Sequence, residues 1–178
     1  PGEPGGNGNG HGSYWDPIKD KTPFPSDNPK RMYSLMRDSA AFVNEHAGKQ
    51  PFFMMVSHYA PHIPFYCTKE AFDRNKKRWI EMGKETEGME NEKSSIRKDI
   101  TYAAMVEEMD MTLVAILDAL DAKGELENTY VIFTSDNGGG HSERREVDGE
   151  KRRFNGPLQE GKRSIFEGGI RVPTVISG

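Results

Sequence analysis

The chain has 178 residues, with 24 Lys and Arg against 28 Asp and Glu, so 29% of its positions are charged while the net charge is only −4. That balance excludes the basic footprint of a nucleic-acid binder. Leu, Ile, Val and Phe together number 33, about 19% of the chain; this is thin for a self-contained core, although the apolar residues are clustered rather than diluted as in a disordered chain.

Residues 1–12 (PGEPGGNGNGHG) carry six glycines and two prolines, so residues 1–28 read as a flexible loop region with nothing to bury. From Pro29 the pattern turns helical. Asp27 or Asn28 can cap, Pro29 suits a first turn, and Met32, Leu35, Met36, Ala40 and Val43 share a face before Gly48. Residues 52–56 (FFMMV) are a short apolar run of the kind buried on both faces of a sheet. The run leads into Ala60-Pro61-His62-Ile63-Pro64, whose prolines end regular structure. Between Asn75 and Lys98 charge dominates without an apolar period, as in a solvated surface excursion. A second helix is expected from about Ile96 to Lys123, with Tyr102, Met105, Met109, Leu113, Ile116, Leu117 and Leu120 at spacings of three and four. Gly124 ends it.

Residues 129–134 (TYVIFT) form a second strand that runs into Ser135-Asp136-Asn137-Gly138. Residues 141–153 (HSERREVDGEKRR) read as a charged loop. Residues 170–176 (IRVPTVI) read as a third strand with an irregular start. Helices alternating with buried strands indicate an α/β fold with a largely parallel sheet. No run approaches the roughly 18 to 20 apolar residues of a membrane-spanning helix. Cys67, the single cysteine, cannot form an internal disulfide.

Functional groups in such sheets collect just beyond the carboxyl ends of strands, and three clusters there carry chemistry. Asp136-Asn137 supplies a carboxylate and a carboxamide, hard oxygen ligands suited to Ca²⁺ or Mg²⁺ rather than zinc; taken alone, an Asp-Asn-Gly turn is more often simple turn chemistry. His62 lies between prolines that fix its backbone, a useful arrangement for a proton donor or an anion contact, though a lone histidine is usually structural or merely exposed. His58 is a weaker candidate because it lies nearer the strand. Lys162, in Gly161-Lys162-Arg163, is a compact charge suited to an oxyanion. His141, after the triple glycine, is close in sequence to the Asp136 loop.

Together these clusters resemble the sulfatase family, the alkaline-phosphatase-like hydrolases of sulfate esters. The order matches: Ala60-Pro61-His62-Ile63-Pro64, a helix with Met109-Asp110, then TYVIFTSDNGG from Thr129, Gly156-Pro157-Leu158, Gly161-Lys162, and FEGGIRVP from Phe166 to Pro173. The resemblance covers roughly residues 30–178. It implies a three-layer α/β/α fold with a largely parallel sheet, of which residues 29–178 would be a partial catalytic domain. It also implies that Asp136 and Asn137 ligate the active-site cation, Ca²⁺ in most of the family with Mg²⁺ as the alternative. Lys162 would contact the sulfate, and His62 would bind it or protonate the departing alcohol oxygen. A metal and a lysine then stand where negative charge grows.

Members of this family use a formylglycine made from the Cys or Ser of a C/S-x-P/A-x-R motif as nucleophile. No such motif occurs in these 178 residues. Cys67, in Tyr66-Cys67-Thr68-Lys69-Glu70, lacks the Pro and Arg and follows His62, whereas the family places its nucleophile well before; it reads as an ordinary loop cysteine. The family's early aspartate pair and its Gly-Lys-Trp-His segment are likewise absent. The chain is therefore expected to be an internal segment of a sulfatase, inactive alone, with nucleophile and remaining ligands upstream. Aryl or carbohydrate sulfates would be the substrates, and a secreted, periplasmic or lysosomal setting is the family expectation. A phosphoester or phosphonate hydrolase of the same superfamily, or a non-catalytic relative that binds sulfated glycan, are the alternatives.

Overall fold

Asn28 starts the first helix. In this computed structural model, which describes residues 28–91, 94–140, 144–147, 150–153 and 155–178, its side-chain oxygen accepts the N–H groups of Tyr33 at 2.9 Å and Ser34 at 3.2 Å. A 3₁₀ turn, Pro29–Arg31, leads into α1, Met32–His46. Residues 1–27, expected to be a loop, lie outside the described residues, as does His141. The chain divides into two units, Pro1–Leu126 and Glu127–Gly178.

In the first unit α1 and α2 (Lys69–Glu81) both pack on α3 (Ser95–Ala122). Ser94 caps α3 by accepting the Arg97 N–H, and Thr68 caps α2 by accepting that of Ala71, each at 3.2 Å. Gly48 and Gly124 follow α1 and α3 with φ of +75° and +69°, the left-handed turn that glycine takes without penalty. Met32, Cys67, Phe72, Ile100 and Met105 make the centre of the core. Burial, and next the charge of Glu108, push the Cys67 thiol well up, so it is a packing residue and no nucleophile.

Two expectations are corrected here. Residues 75–98 are not a plain surface excursion, because residues 75–81 complete α2. This helix buries Ala71 and Phe72, and α3 clamps it through one carboxylate: Glu107 receives Arg74 Nε at 2.7 Å, Asn75 Nδ2 at 2.7 Å and Arg78 Nη1 at 2.6 Å. Residues 52–56 form no strand and pair with none among the described residues. Phe53 and Met55 are 89% and 77% exposed, while Phe52 alternates inward to meet Phe42 edge-on at 5.6 Å.

In the second unit β1 (Val131–Thr134) pairs with β4 (Thr174–Ser177), in the register Val131 to Ser177 and Thr134 to Thr174. This pairing is antiparallel, against the expected largely parallel sheet. A parallel pair needs a crossover, usually helical, and the only helix described between these strands is the single turn α4, Glu167–Ile170, so the chain returns reversed. The strand expected over 170–176 thus begins later, after that turn. The loop expected over 141–153 contains a hairpin of β2 (Arg144–Val147) and β3 (Glu150–Arg153). Its charged sequence carries no apolar alternation, so the period that reveals a half-buried strand is missing.

Candidate active site

Asp136 and Asn137 stand two and three residues beyond β1, where the chain folds back on itself. Ser135 Oγ donates to the Asn137 carbonyl at 2.9 Å, and Asn137 Nδ2 donates to the Gly138 carbonyl at 2.9 Å. Because the Asn137 nitrogen is engaged there, its other end is the oxygen, the end that coordinates a hard cation. The Asp136 carboxylate is exposed and makes no hydrogen bond or ion pair among the described residues.

Backbone contacts hold this loop against the segments that follow. Gly138 N donates to Gly169 O at 2.9 Å, Gly168 N to Gln159 O at 2.7 Å, and Lys162 N to Gly139 O at 2.8 Å. A Cβ on Gly138 would lie 1.8 Å from Gly168 O, and one on Gly168 would lie 2.1 Å from Glu160 O. The Asp-Asn-Gly and Glu-Gly-Gly motifs are therefore one interlocked backbone structure, which only residues without a side chain allow. Glu160 and Arg163 take φ of 64° and 77° on either side of Gly161-Lys162, a strained conformation of order 1 kcal/mol or more each that the surrounding ties must hold. Lys162 is half-buried, and its ammonium has no hydrogen bond or ion pair among the described residues.

Asn155 was not anticipated from the sequence. Its Oδ1 accepts Gly139 N–H at 3.0 Å, and its Nδ2 donates to Gly139 O at 3.1 Å and Glu160 O at 3.2 Å. The available signal was an Asn ahead of the Gly156-Pro157 turn, the residue type that bonds neighbouring backbone.

His62 belongs to the first unit, half-buried, with its N–H on Tyr59 O at 3.1 Å. Its Nδ1 lies 2.6 Å from Ile63 O. A carbonyl only accepts, so Nδ1 carries the hydrogen and Nε2 is the nitrogen left for a partner. Asp136, Asn137 and Lys162 are thus brought into one loop cluster, and His62 is set up in the other unit with a defined tautomer.

The donor chemistry suits a hard divalent cation, and it is partial: no cluster of three or more His, Cys, Asp or Glu able to hold a metal occurs among the described residues. One oxygen from each of Asp136 and Asn137 would fall well short of the six to eight that Ca²⁺ takes.

The chain is 31% identical over 131 residues to N-acetylgalactosamine-6-sulfatase of Rattus norvegicus, covering 74% of this chain and 20% of that protein. It is 30% identical over 157 residues to arylsulfatase D of Homo sapiens, covering 88% and 22%. The chain thus spans about a fifth of the length of these relatives. Among solved structures, Ps i-CgsB in complex with k-i-k-neocarrahexaose matches with a TM-score of 0.58 and 32% identity, over 82% of this chain and 27% of that one. These likenesses give the chain the alkaline-phosphatase-like α/β fold, in a family that uses a metal and a formylglycine. The family model for Sulfatase covers residues 5–178, motif loops included, and the chain belongs to the sulfatase family.

Proposed function

We propose that these residues form the later part of the active site of a sulfuric ester hydrolase, whose substrates are carbohydrate or aryl sulfates. The observation that carries this reading is the glycine-locked cluster of the second unit, in which the Asp136 carboxylate and the Lys162 ammonium, neither with a partner among the described residues, stand on segments joined by the shared tie at Gly139. Asp136 and Asn137 would hold the cation, Ca²⁺ or alternatively Mg²⁺, which supplies Lewis-acid stabilisation of the charge on the ester. Lys162 binds a sulfate oxygen and adds a fixed positive charge where negative charge develops. His62, its Nδ1–H taken by Ile63 O, delivers a proton from Nε2 to the departing alcohol oxygen. The nucleophile would be the family's formylglycine, outside these 178 residues, and the segment alone would be inactive.

The finer architecture of the whole domain is proposed as three layers around a largely parallel sheet, with β1–β4 as an antiparallel part of it. Ile132, Phe133, Val175 and Ile176 are all more than 40% exposed on alternate faces of that pair, as in strands meant to be covered on both sides. A carbohydrate substrate is supported by the saccharide names of N-acetylgalactosamine-6-sulfatase and of the neocarrahexaose complex.

The test is sulfate and phosphate release by the full-length enzyme from p-nitrophenyl sulfate, N-acetylgalactosamine 6-sulfate and p-nitrophenyl phosphate. Sulfate release that chelator abolishes is expected. A preference for the phosphate ester would move the reading to a phosphohydrolase, and binding of sulfated sugar without turnover to a non-catalytic relative.

A further inference from the structure

Asn155 closes its own turn with its backbone, whose carbonyl accepts Leu158 N–H at 2.7 Å. Its side chain is spent elsewhere. Nδ2 donates to Gly139 O at 3.1 Å and to Glu160 O at 3.2 Å, while Oδ1 accepts Gly139 N–H at 3.0 Å. One acceptor facing an N–H and two donors facing carbonyls is a set that a carboxamide supplies. A carboxylate of the same shape has no donor, and an apolar side chain has neither.

The two partners lie on the two segments that carry the candidate chemistry. Gly139 stands two residues after Asn137, and Glu160 two residues before Lys162. The Gly139 carbonyl that Asn155 holds is also the one that accepts Lys162 N–H at 2.8 Å. Glu160 adds a second demand, because its φ of 64° is one that a residue with a Cβ keeps only where its surroundings hold it. The bond from Asn155 falls on the peptide between Glu160 and Gly161, through which the chain enters Lys162.

We propose that Asn155 is a positioning residue for the reaction: it sets the place of Lys162 relative to Asp136 and Asn137 through Gly139 and Glu160, without itself meeting ester or cation. This rests on the sulfate-ester reading for the roles of those three residues. Charges stabilise a transition state when they are held in place beforehand, and a misplacement of about 1 Å costs about 10²-fold in rate. Without the Asn155 side chain, Glu160 relaxes out of its left-handed conformation and carries Lys162 with it. The Gly139 N–H loses its acceptor at the same time, which loosens the loop that follows Asn137.

The experiment is steady-state kinetics of the full-length enzyme across a Ca²⁺ titration, with hydrogen exchange at the Lys162 amide. Asn155→Ala is expected to lower kcat by about 10²-fold, to raise the Ca²⁺ concentration for half-maximal turnover, and to speed exchange at Lys162. Adding Glu160→Gly separates positioning from general support of the fold, since glycine takes a positive φ without penalty. The double variant is expected to regain at least about tenfold in kcat and to slow Lys162 exchange again, while its Ca²⁺ requirement stays raised because Gly139 N–H is still unanswered. Where Asn155→Ala leaves too little folded enzyme, the isosteric Asn155→Asp, which keeps the acceptor and loses both donors, is read for its kcat and Lys162 exchange with and without Glu160→Gly. Parent-like kcat and Lys162 exchange in the single variants, or a loss that Glu160→Gly does not relieve, overturns the inference. Exchange is read without turnover: an enzyme that cleaves no sulfate ester would sink the proposed function while the Lys162 amide still reports on Asn155, and sulfate-ester cleavage unaltered by Asn155→Ala would sink the positioning role alone.

Discussion

Thr68 gives both its backbone N–H, at 3.0 Å, and its hydroxyl, at 2.5 Å, to one carboxylate oxygen of Glu108. Tyr33 adds its phenol to the same oxygen at 3.0 Å. One buried atom of α3 thus fixes the cap of α2 and a residue of α1, and it anchors the segment that runs on from His62. Glu108→Ala removes three bonds at once and leaves a buried N–H unanswered, and is expected to destabilise the chain by about 2 to 4 kcal/mol. Glu108→Gln keeps an acceptor and should cost about 1 kcal/mol. Denaturant unfolding of the two variants against the parent measures both, and an equal loss in each would show that the charge rather than the acceptor matters.

His58 contributes a pH dependence of known sign. Burial lowers its pKa below the ordinary 6.5, and its Nδ1 is buried without a hydrogen-bond partner. The unfolded chain then binds a proton at a higher pH than the folded one. Stability from neutral His58 is present above about pH 6.5 and is lost as pH falls through that value towards the lower folded pKa. Unfolding free energies between pH 7.5 and 5 should fall more steeply for the parent than for His58→Phe; parallel curves would contradict the assignment.

Gly138→Ala places a methyl 1.8 Å from the Gly168 carbonyl, a backbone atom that no rotamer change can clear. The Asp136 loop must part from the Gly168 turn, at a cost of about 1 to 3 kcal/mol or more. Hydrogen exchange at the Gly138 and Gly168 amides, bonded to Gly169 O and Gln159 O, should accelerate together. Acceleration of one alone would show that the two motifs are not a single structure.

In the full-length enzyme, Lys162→Ala should lower kcat by about 10² to 10³ while leaving cation affinity intact, as expected for loss of one preorganised charge. Asp136→Ala should instead weaken the cation dependence itself, raising the concentration needed for half-maximal turnover. Steady-state kinetics across a cation titration separates the two roles. Matching behaviour of both variants would contradict the assignment of ligand and oxyanion contact to different residues.

The helix α3 was legible because Met105, Met109 and Leu120 recur at helical spacing over a long segment. The helix α2 was not, because the partner of its charged residues is Glu107, about thirty residues away, which gathers Arg74, Asn75 and Arg78. A charged segment paired through distant residues reads in sequence as solvated surface. The run Phe52 to Val56 failed in the opposite way: its composition reports a tendency to enter a sheet, not the partner that completes one. The site loops were legible as wording, in Asp136-Asn137-Gly138 and Glu167-Gly168-Gly169, but the reason for the glycines is a contact between residues thirty apart. Asn155 was invisible for the same reason, since its worth lies in bonding both Gly139 and Glu160.

The bond pair between Asn155 and Gly139 acts as a clasp on the chain between them. Among the described residues, the backbone ties that join the Asp136 loop to Lys162 and to the Gly168 turn all lie outside that clasp, so the clasp closes one long excursion of the chain without sharing a bond with them.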